Sequence, residues 1–319
     1  MREPHTRGDT AALLAGLVTV VLWGSAFVGI RAAGAAFDPG PLALGRVLVS
    51  CVALGALILV YRIAGGDRPP LPSRRDLAAI ACYGVLFLGL YSITLNAAER
   101  LVDAGTAAMI INTGPILIAL LAGMFLREGY PSGLFAGCVI AFGGVVLIGL
   151  GSARTASNAG QGIVLCVIAA VAYAVAVVVQ KAVLARVSAL TVTWLGCLAA
   201  TVACLPFAPA LAEQVYRADR AALAWLVYLG LGPTTLGFVT WTFALRRTSA
   251  GRSGALNYLI PVVAIVLGWA VLDEAPPWPA LVGGVVCLSG VYLARVWKTG
   301  QQTSVTRPAS SAVSNGETT

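Results

Sequence analysis

The stretch FLREGYP, residues 125–131, returns in altered form as VLDEAPP, residues 271–277. Each closes a long apolar run, and each sets a glutamate three residues before a proline. Glu128 and Glu274 are 146 residues apart, as are Pro131 and Pro277. At that offset residues 98–150 align with 244–296 without a gap, and 14 of the 53 positions are identical. Matches of Ala, Gly, Leu and Val are expected between two apolar segments. Arg100/Arg246, Pro115/Pro261 and the Glu-x-x-Pro pair are harder to produce by composition. Further toward the N-terminus, LWGSAFVGIR (22–31) aligns with AYAVAVVVQK (172–181) at an offset of 150, so that Trp23 faces Tyr173 and Arg31 faces Lys181. The chain reads as one unit written twice.

The solvent for that unit is lipid. Of 319 residues, 59% are hydrophobic and 11% charged, against about a quarter charged in soluble domains. A spanning helix needs about 20 mostly apolar residues. Ten runs qualify, near 11–31, 41–61, 76–97, 103–126, 131–151, 161–182, 189–210, 221–245, 251–272 and 278–297. The expected fold is an all-α integral membrane protein of ten transmembrane helices, as two five-helix repeats over 11–151 and 161–297. Five is odd, so tandem halves enter the bilayer from opposite sides and the repeat is inverted. The Gly/Ser/Asn-rich 151–161 is the linker, and 299–319 is expected to be a disordered cytoplasmic tail. The A-x-A-like RAAGAAFD (31–38) suggests a signal-peptide site, but the run before it is too long for an ordinary h-region. With a cytoplasmic N-terminus, inside segments hold 15 Lys and Arg and outside loops hold 5, which places both termini in the cytoplasm.

The net charge of +8 fits basic cytoplasmic loops better than nucleic acid, because no basic cluster alternates with aromatics. The seven cysteines lie within apolar runs and form no C-x-x-C pair, so they read as small hydrophobes. The one histidine, His5, lies in the polar N-terminal tail. No metal or cofactor is expected. Intramembrane proteases need Ser-His, paired mid-helix aspartates or H-E-x-x-H, and none is written here, so the chain is not expected to be an enzyme. A scaffold or assembly protein is the reading the sequence excludes least well.

Together, LWGSAF in helix 1, an arginine early in helix 2, and Pro-(about 12)-Glu-x-x-Pro followed by spaced glycines resemble the EamA family of the drug/metabolite transporter superfamily. The resemblance covers about residues 11–297. It implies a plasma-membrane permease exporting amino acids or other small metabolites or drugs, in many cases with proton coupling. It also implies a lining from helices 1, 3, 4, 6, 8 and 9. Helix 6 departs from the pattern, with AYAVAV where helix 1 has WGSAF.

Candidate site residues follow from polarity and depth. Pro115 and Pro261 sit about 12 residues into helices 4 and 9, where proline removes a backbone bond and frees a carbonyl. They read as hinges or as packing kinks, and NTGP (112–115) makes helix 4 look broken. Asn112, Thr113, Asn257 and Tyr258 are polar near mid-membrane, for substrate or for helix-to-helix hydrogen bonds. Trp23, Ser25, Tyr91, Asn96, Tyr173, Gln180 and Trp241 complete the candidate cavity. Arg46, about five residues into helix 2, is expected to pair with Glu99 or Asp103 as a structural or gating charge. No carboxylate falls mid-helix, so proton coupling would use Glu99, Asp103 or the substrate's own charge. Glu128 and Glu274 are expected at the starts of helices 5 and 10, as marks of architecture. Gly133/Gly137 and Ala280/Gly284 offer small-xxx-small faces for packing within the chain or in a homodimer.

Overall fold

The computed structural model describes residues 6–65, 71–125, 132–152, 158–247 and 259–302. Glu128, Asn257 and Tyr258 lie outside the described residues. Every regular element described is helical. We label the rods α1 (Thr6–Ala33), α2 (Pro39–Ile63), α3 (Arg74–Ala98), α4 (Ala104–Ile111 continuing as Gly114–Phe125), α5 (Ser132–Ser152), α6 (Ala159–Leu184), α7 (Ala189–Arg217), α8 (Arg220–Leu229 continuing to Arg247), α9 (Ile260–Leu272) and α10 (Trp278–Gln302). Six of these, α1, α2, α3, α6, α7 and α8, are long and apolar enough to cross a bilayer. Shorter apolar helices fall in the other four rods. In α4 the helix stops at Asn112–Thr113 and restarts at Gly114 with Pro115 in its first turn.

The helix starts are written in the sequence and recur at the repeat offsets. Ser73 Oγ accepts from Asp76 N, and 146 residues on Asp219 caps α8 through Ala222 N. Asp38 precedes α2, with Pro39 in its first turn, and 150 residues on Ser188 caps α7 through Thr191 N. Such caps satisfy backbone N–H groups that no helix can satisfy internally. Inside α3 and α8 the winding loosens to a π-helix over Gly84–Tyr91 and Gly230–Leu236. These segments also begin 146 residues apart.

Packing follows the same symmetry. α1 lies against α8 and α9, while α6 lies against α3 and α4. α2 pairs with α7, and α5 with α10. In the last pair the duplicated glycines cross over. A Cβ at Gly290 would stand 2.6 Å from the carbonyl of Gly137, and one at Gly144 would stand 2.6 Å from that of Gly283. Only the missing side chains let these backbones touch. The small-residue stripe of α5 and α10 is thus occupied within the chain. Large apolar side chains such as Val52, Leu57, Phe142, Val171, Trp269 and Trp278 line the outside. So broad an apolar exterior belongs in lipid.

Two boundaries differ from the sequence expectation. α10 runs past Thr299 to Gln302, because nothing in the described segment breaks the helix. Glu274 does not open α10. It follows Asp273, whose left-handed backbone (φ 55°) ends α9, and α10 begins at Trp278 after Pro276 and Pro277.

Candidate functional site

A cavity of about 90 Å³ lies where the two halves meet. Its walls come from α1, α2, α3, α4, α6, α8 and α9. Aromatic rings form a connected chain around it. Trp241 packs on Trp23 (5.3 Å between centroids), Trp23 on Phe238 (5.8 Å), Phe238 on Phe87 (5.7 Å), and Phe87 on Tyr91 and Tyr173 (both 5.2 Å). Ala26, Phe27, Ile30, Leu95, Ile111 and Ile260 make the rest of the lining mostly apolar. Its polar groups are few: Arg46, Asn112, and the Tyr91 and Tyr173 hydroxyls.

Arg46 is held by the π-helical segment of α8. Pro233 has no N–H, so the carbonyl of Leu229, four residues back, cannot take an α-helical bond and is turned toward residue 234 by the i→i+5 winding. The Thr234 hydroxyl donates to that carbonyl at 2.9 Å and accepts from Arg46 Nε at 2.8 Å. Pro233 O accepts from Trp23 Nε1 at 3.2 Å, and Thr235 Oγ1 shares a hydrogen bond with Ser50 at 3.0 Å. π-Turns inside α-helices are often functional sites for this reason: the extra residue re-aims side chains and carbonyls. Arg46 Nη1 is buried and has no hydrogen-bond partner among the described residues. The expected pairing with Glu99 or Asp103 is not formed. Asp103 is engaged as the cap of α4, accepting from Thr106 N at 2.8 Å and Thr106 Oγ1 at 2.6 Å. Glu99 lies beyond the end of α3, in a second cavity.

That second cavity, at the Arg31 end of the bundle, is lined by Arg31, Asn96, Glu99, Arg100 and Glu274 among others. Arg31 Nε meets both carboxylate oxygens of Glu274, at 2.9 and 3.0 Å. Its Nη1 donates to the main-chain oxygen of Glu99. This side-on grip ties α1 to the turn between α9 and α10. At the opposite end Arg186 Nη2 pairs with Asp76 at 2.6 Å, again across the two halves.

Of the residues singled out in the sequence, Trp23, Arg46, Tyr91, Asn112, Pro115 and Tyr173 stand together around the first cavity. Trp241 is one ring behind Trp23. Pro261 lies in the first turn of α9 beside Ile260, which lines the cavity. Others go elsewhere. Ser25 Oγ bonds Tyr228 (2.6 Å), Thr113 Oγ1 donates back to Ile110 O (2.8 Å), and Asn96 Nδ2 donates to Pro39 O (2.9 Å). Gln180 is half-buried near the far end of α6 and is not in the lining. Sequence reasoning missed Phe87, Phe238 and Thr234. It also read Glu274 as a mark of the turn alone, whereas its carboxylate is committed to Arg31.

The EamA-like transporter family profile matches this chain twice, over residues 10–150 and 160–296. A probable terminal-alkyne amino-acid exporter of Streptantibioticus cattleyicolor is 36% identical over 301 residues, covering 93% of this chain and 97% of that one. A probable amino-acid metabolite efflux pump of Escherichia coli K12 is 24% identical over 287 residues, 87% and 92% of the two chains. A solved crystal structure superposes with a TM-score of 0.61 at 22% identity, over 92% of this chain and 99% of that chain, a likeness of fold alone. The chain belongs to the EamA-like transporter family. It is a multi-pass membrane protein and a membrane transporter, with a two-repeat architecture.

Proposed function

We propose that this chain is a secondary exporter of small amino-acid-like carboxylates with apolar side chains, and that Arg46 holds the carboxylate. The observation that carries the reading is the buried guanidinium of Arg46. Thr234 fixes its Nε, its Nη1 is unsatisfied, and it borders a cavity walled by aromatic and aliphatic groups. A charge this deep costs at least about 2.5–3.5 kcal/mol and persists where function needs it. A guanidinium fork matches a carboxylate better than any other common anion-binding side chain. Trp23, Phe87, Tyr91, Tyr173 and Phe238 would receive the side chain, with Asn112 in the same lining. The names of the two relatives above, a probable terminal-alkyne amino-acid exporter and a probable amino-acid metabolite efflux pump, support the same class.

In this reading ten spans form two inverted repeats, bounded near 11–151 and 161–297, in the plasma membrane with both termini cytoplasmic. The Arg31–Glu274 mouth then faces outward and the Asp76–Arg186 mouth inward. Alternating access consists of breaking one cross-half ion pair while the other holds. The solute binds between the halves, the position the cavity occupies.

The test is counterflow in proteoliposomes of the purified full chain. L-Propargylglycine, a terminal-alkyne amino acid, is loaded inside, and uptake of the labelled compound is followed. Transient accumulation above equilibrium is expected, at least tenfold smaller in Arg46→Met. No counterflow with propargylglycine or any apolar amino acid would overturn the reading in favour of a scaffold.

A further inference from the structure

At the Arg31 mouth two carboxylates share one arginine. Arg31 spends its Nε on Glu274 and offers Glu99 only a bond to the main-chain oxygen. Glu99 is 1% exposed, and both of its carboxylate oxygens lack a hydrogen-bond partner among the described residues. One turn earlier on α3, Asn96 is 3% exposed and its Oδ1 is likewise unpartnered. Both residues line the same cavity. Three unsatisfied acceptors in one buried place call for a donor or a cation. The neighbouring cations do not supply it. Arg100 Nη2 is committed to Asp38 at 3.0 Å and to Gly34 O at 3.2 Å. Arg46 places its Nε on Thr234, and its Nη1 makes no hydrogen bond to Glu99 among the described residues. Asp103 adds a further negative charge, held by its cap bonds to Thr106.

We propose that Glu99 is the proton-binding site of this transporter, and that the Arg31 mouth closes only when Glu99 takes up a proton. A charged carboxylate buried without a partner is strongly disfavoured, so the closed arrangement selects the neutral acid. In agreement, burial pushes the Glu99 carboxyl well above the ordinary carboxylate range, while Arg31 pulls it back only in part. When the mouth opens, water reaches Glu99, the acid ionises and the proton leaves to solvent. Ionised Glu99 then competes with Glu274 for Arg31 and holds the mouth apart. The sign follows: the closed state binds one proton more than the open state, so acidification favours closure and rising pH favours opening. Asp103, the other acidic candidate in this turn, is excluded by its satisfied cap. The site rests on the transporter reading but not on the nature of the solute.

The test needs no solute. Ala32, which lines this mouth and is half-buried, is changed to cysteine in a background carrying Cys82→Ala. Its labelling rate with a membrane-impermeant maleimide is measured in proteoliposomes from pH 5 to 9, divided by the rate for the same thiol in SDS. The normalised rate is expected to rise at least fivefold through a single titration. Glu99→Gln, which keeps the shape of the neutral acid, is expected to stay slow at every pH, and Asp103→Asn, which removes a neighbouring negative charge, to keep the titration with its midpoint lowered. Glu274→Gln frees Arg31 for Glu99 and is expected to lower the midpoint by about one pH unit, a tenfold change in proton affinity. A flat parent profile, an unchanged titration in Glu99→Gln, or an unmoved midpoint in Glu274→Gln would overturn the proposal. So would closure driven by Na⁺ at constant pH in place of protons. Failure of propargylglycine counterflow would leave all these outcomes readable.

Discussion

The π-helical segments Gly84–Tyr91 and Gly230–Leu236 begin 146 residues apart and make the same contact in opposite halves. A Cβ at Gly84 would collide with the main chain of Gly196 on α7, and a Cβ at Gly230 would lie 2.9 Å from the carbonyl of Arg46 on α2. Arg46 and Gly196 are themselves 150 residues apart, the offset that relates helices 1 and 6. The backbones have kept their symmetry and the side chains have not. The first segment carries Phe87 and Tyr91, which wall the cavity with rings. The second carries Pro233, Thr234 and Thr235, which hold Trp23, Arg46 and Ser50 by hydrogen bonds. Duplication supplied a loosened turn on each side of the cavity. Divergence made one of them an apolar wall and the other a polar support.

That division can be broken from either side. The largest effect is expected from Arg46→Met. Losing charge-assisted hydrogen bonds to a carboxylate, about 1.5–3 kcal/mol, lowers export efficiency on the order of 100-fold. The same change removes a buried charge that has no carboxylate partner among the described residues, so the melting temperature in detergent is expected to hold or rise. A structural role would lower it. Next, Gly84→Ala forces α3 off α7 and costs about 1–3 kcal/mol, read as a lower melting temperature and poorer yield. Gly230→Ala acts on the matching contact and should cost no less. Thr234→Val leaves Arg46 Nε without its acceptor. About tenfold weaker export is expected, with recovery in Thr234→Ser, because serine keeps the hydroxyl. Tyr91→Phe should be the mildest, within about threefold, since the ring and its contact with Phe87 remain. A large loss there would move polar recognition from the second segment to the first.

Legibility in the sequence followed the rarity of the residue type. Pro115 behind Asn112 and Thr113 announced the break in α4, because proline and asparagine are uncommon in an apolar run and each has a specific backbone consequence. Trp23, Tyr91 and Tyr173 could be singled out as aromatic residues with polar atoms. Phe87 and Phe238 could not, because a phenylalanine inside a spanning helix looks alike whether it faces lipid or a cavity. Thr234 was hidden for a related reason: its meaning depends on the carbonyl that Pro233 frees and on an arginine 188 residues away. The Arg31–Glu274 pair joins residues 243 apart and lies across the two halves. No local pattern announces such a partner. Arg46 was noticed for its depth, but charge alone suggested Glu99 or Asp103, and the cap bonds of Asp103 and the committed geometry of Thr234 decided otherwise.

The central claim is that a carboxylate sits on Arg46. The most direct measurement compares L-propargylglycine with its carboxamide in counterflow by the purified chain, in the parent and in Arg46→Met. The account predicts that the acid exchanges at least tenfold faster than the carboxamide in the parent, and that Arg46→Met removes the preference by slowing the acid alone. Equal exchange of the two compounds by the parent, or a preference that survives in Arg46→Met, would contradict it.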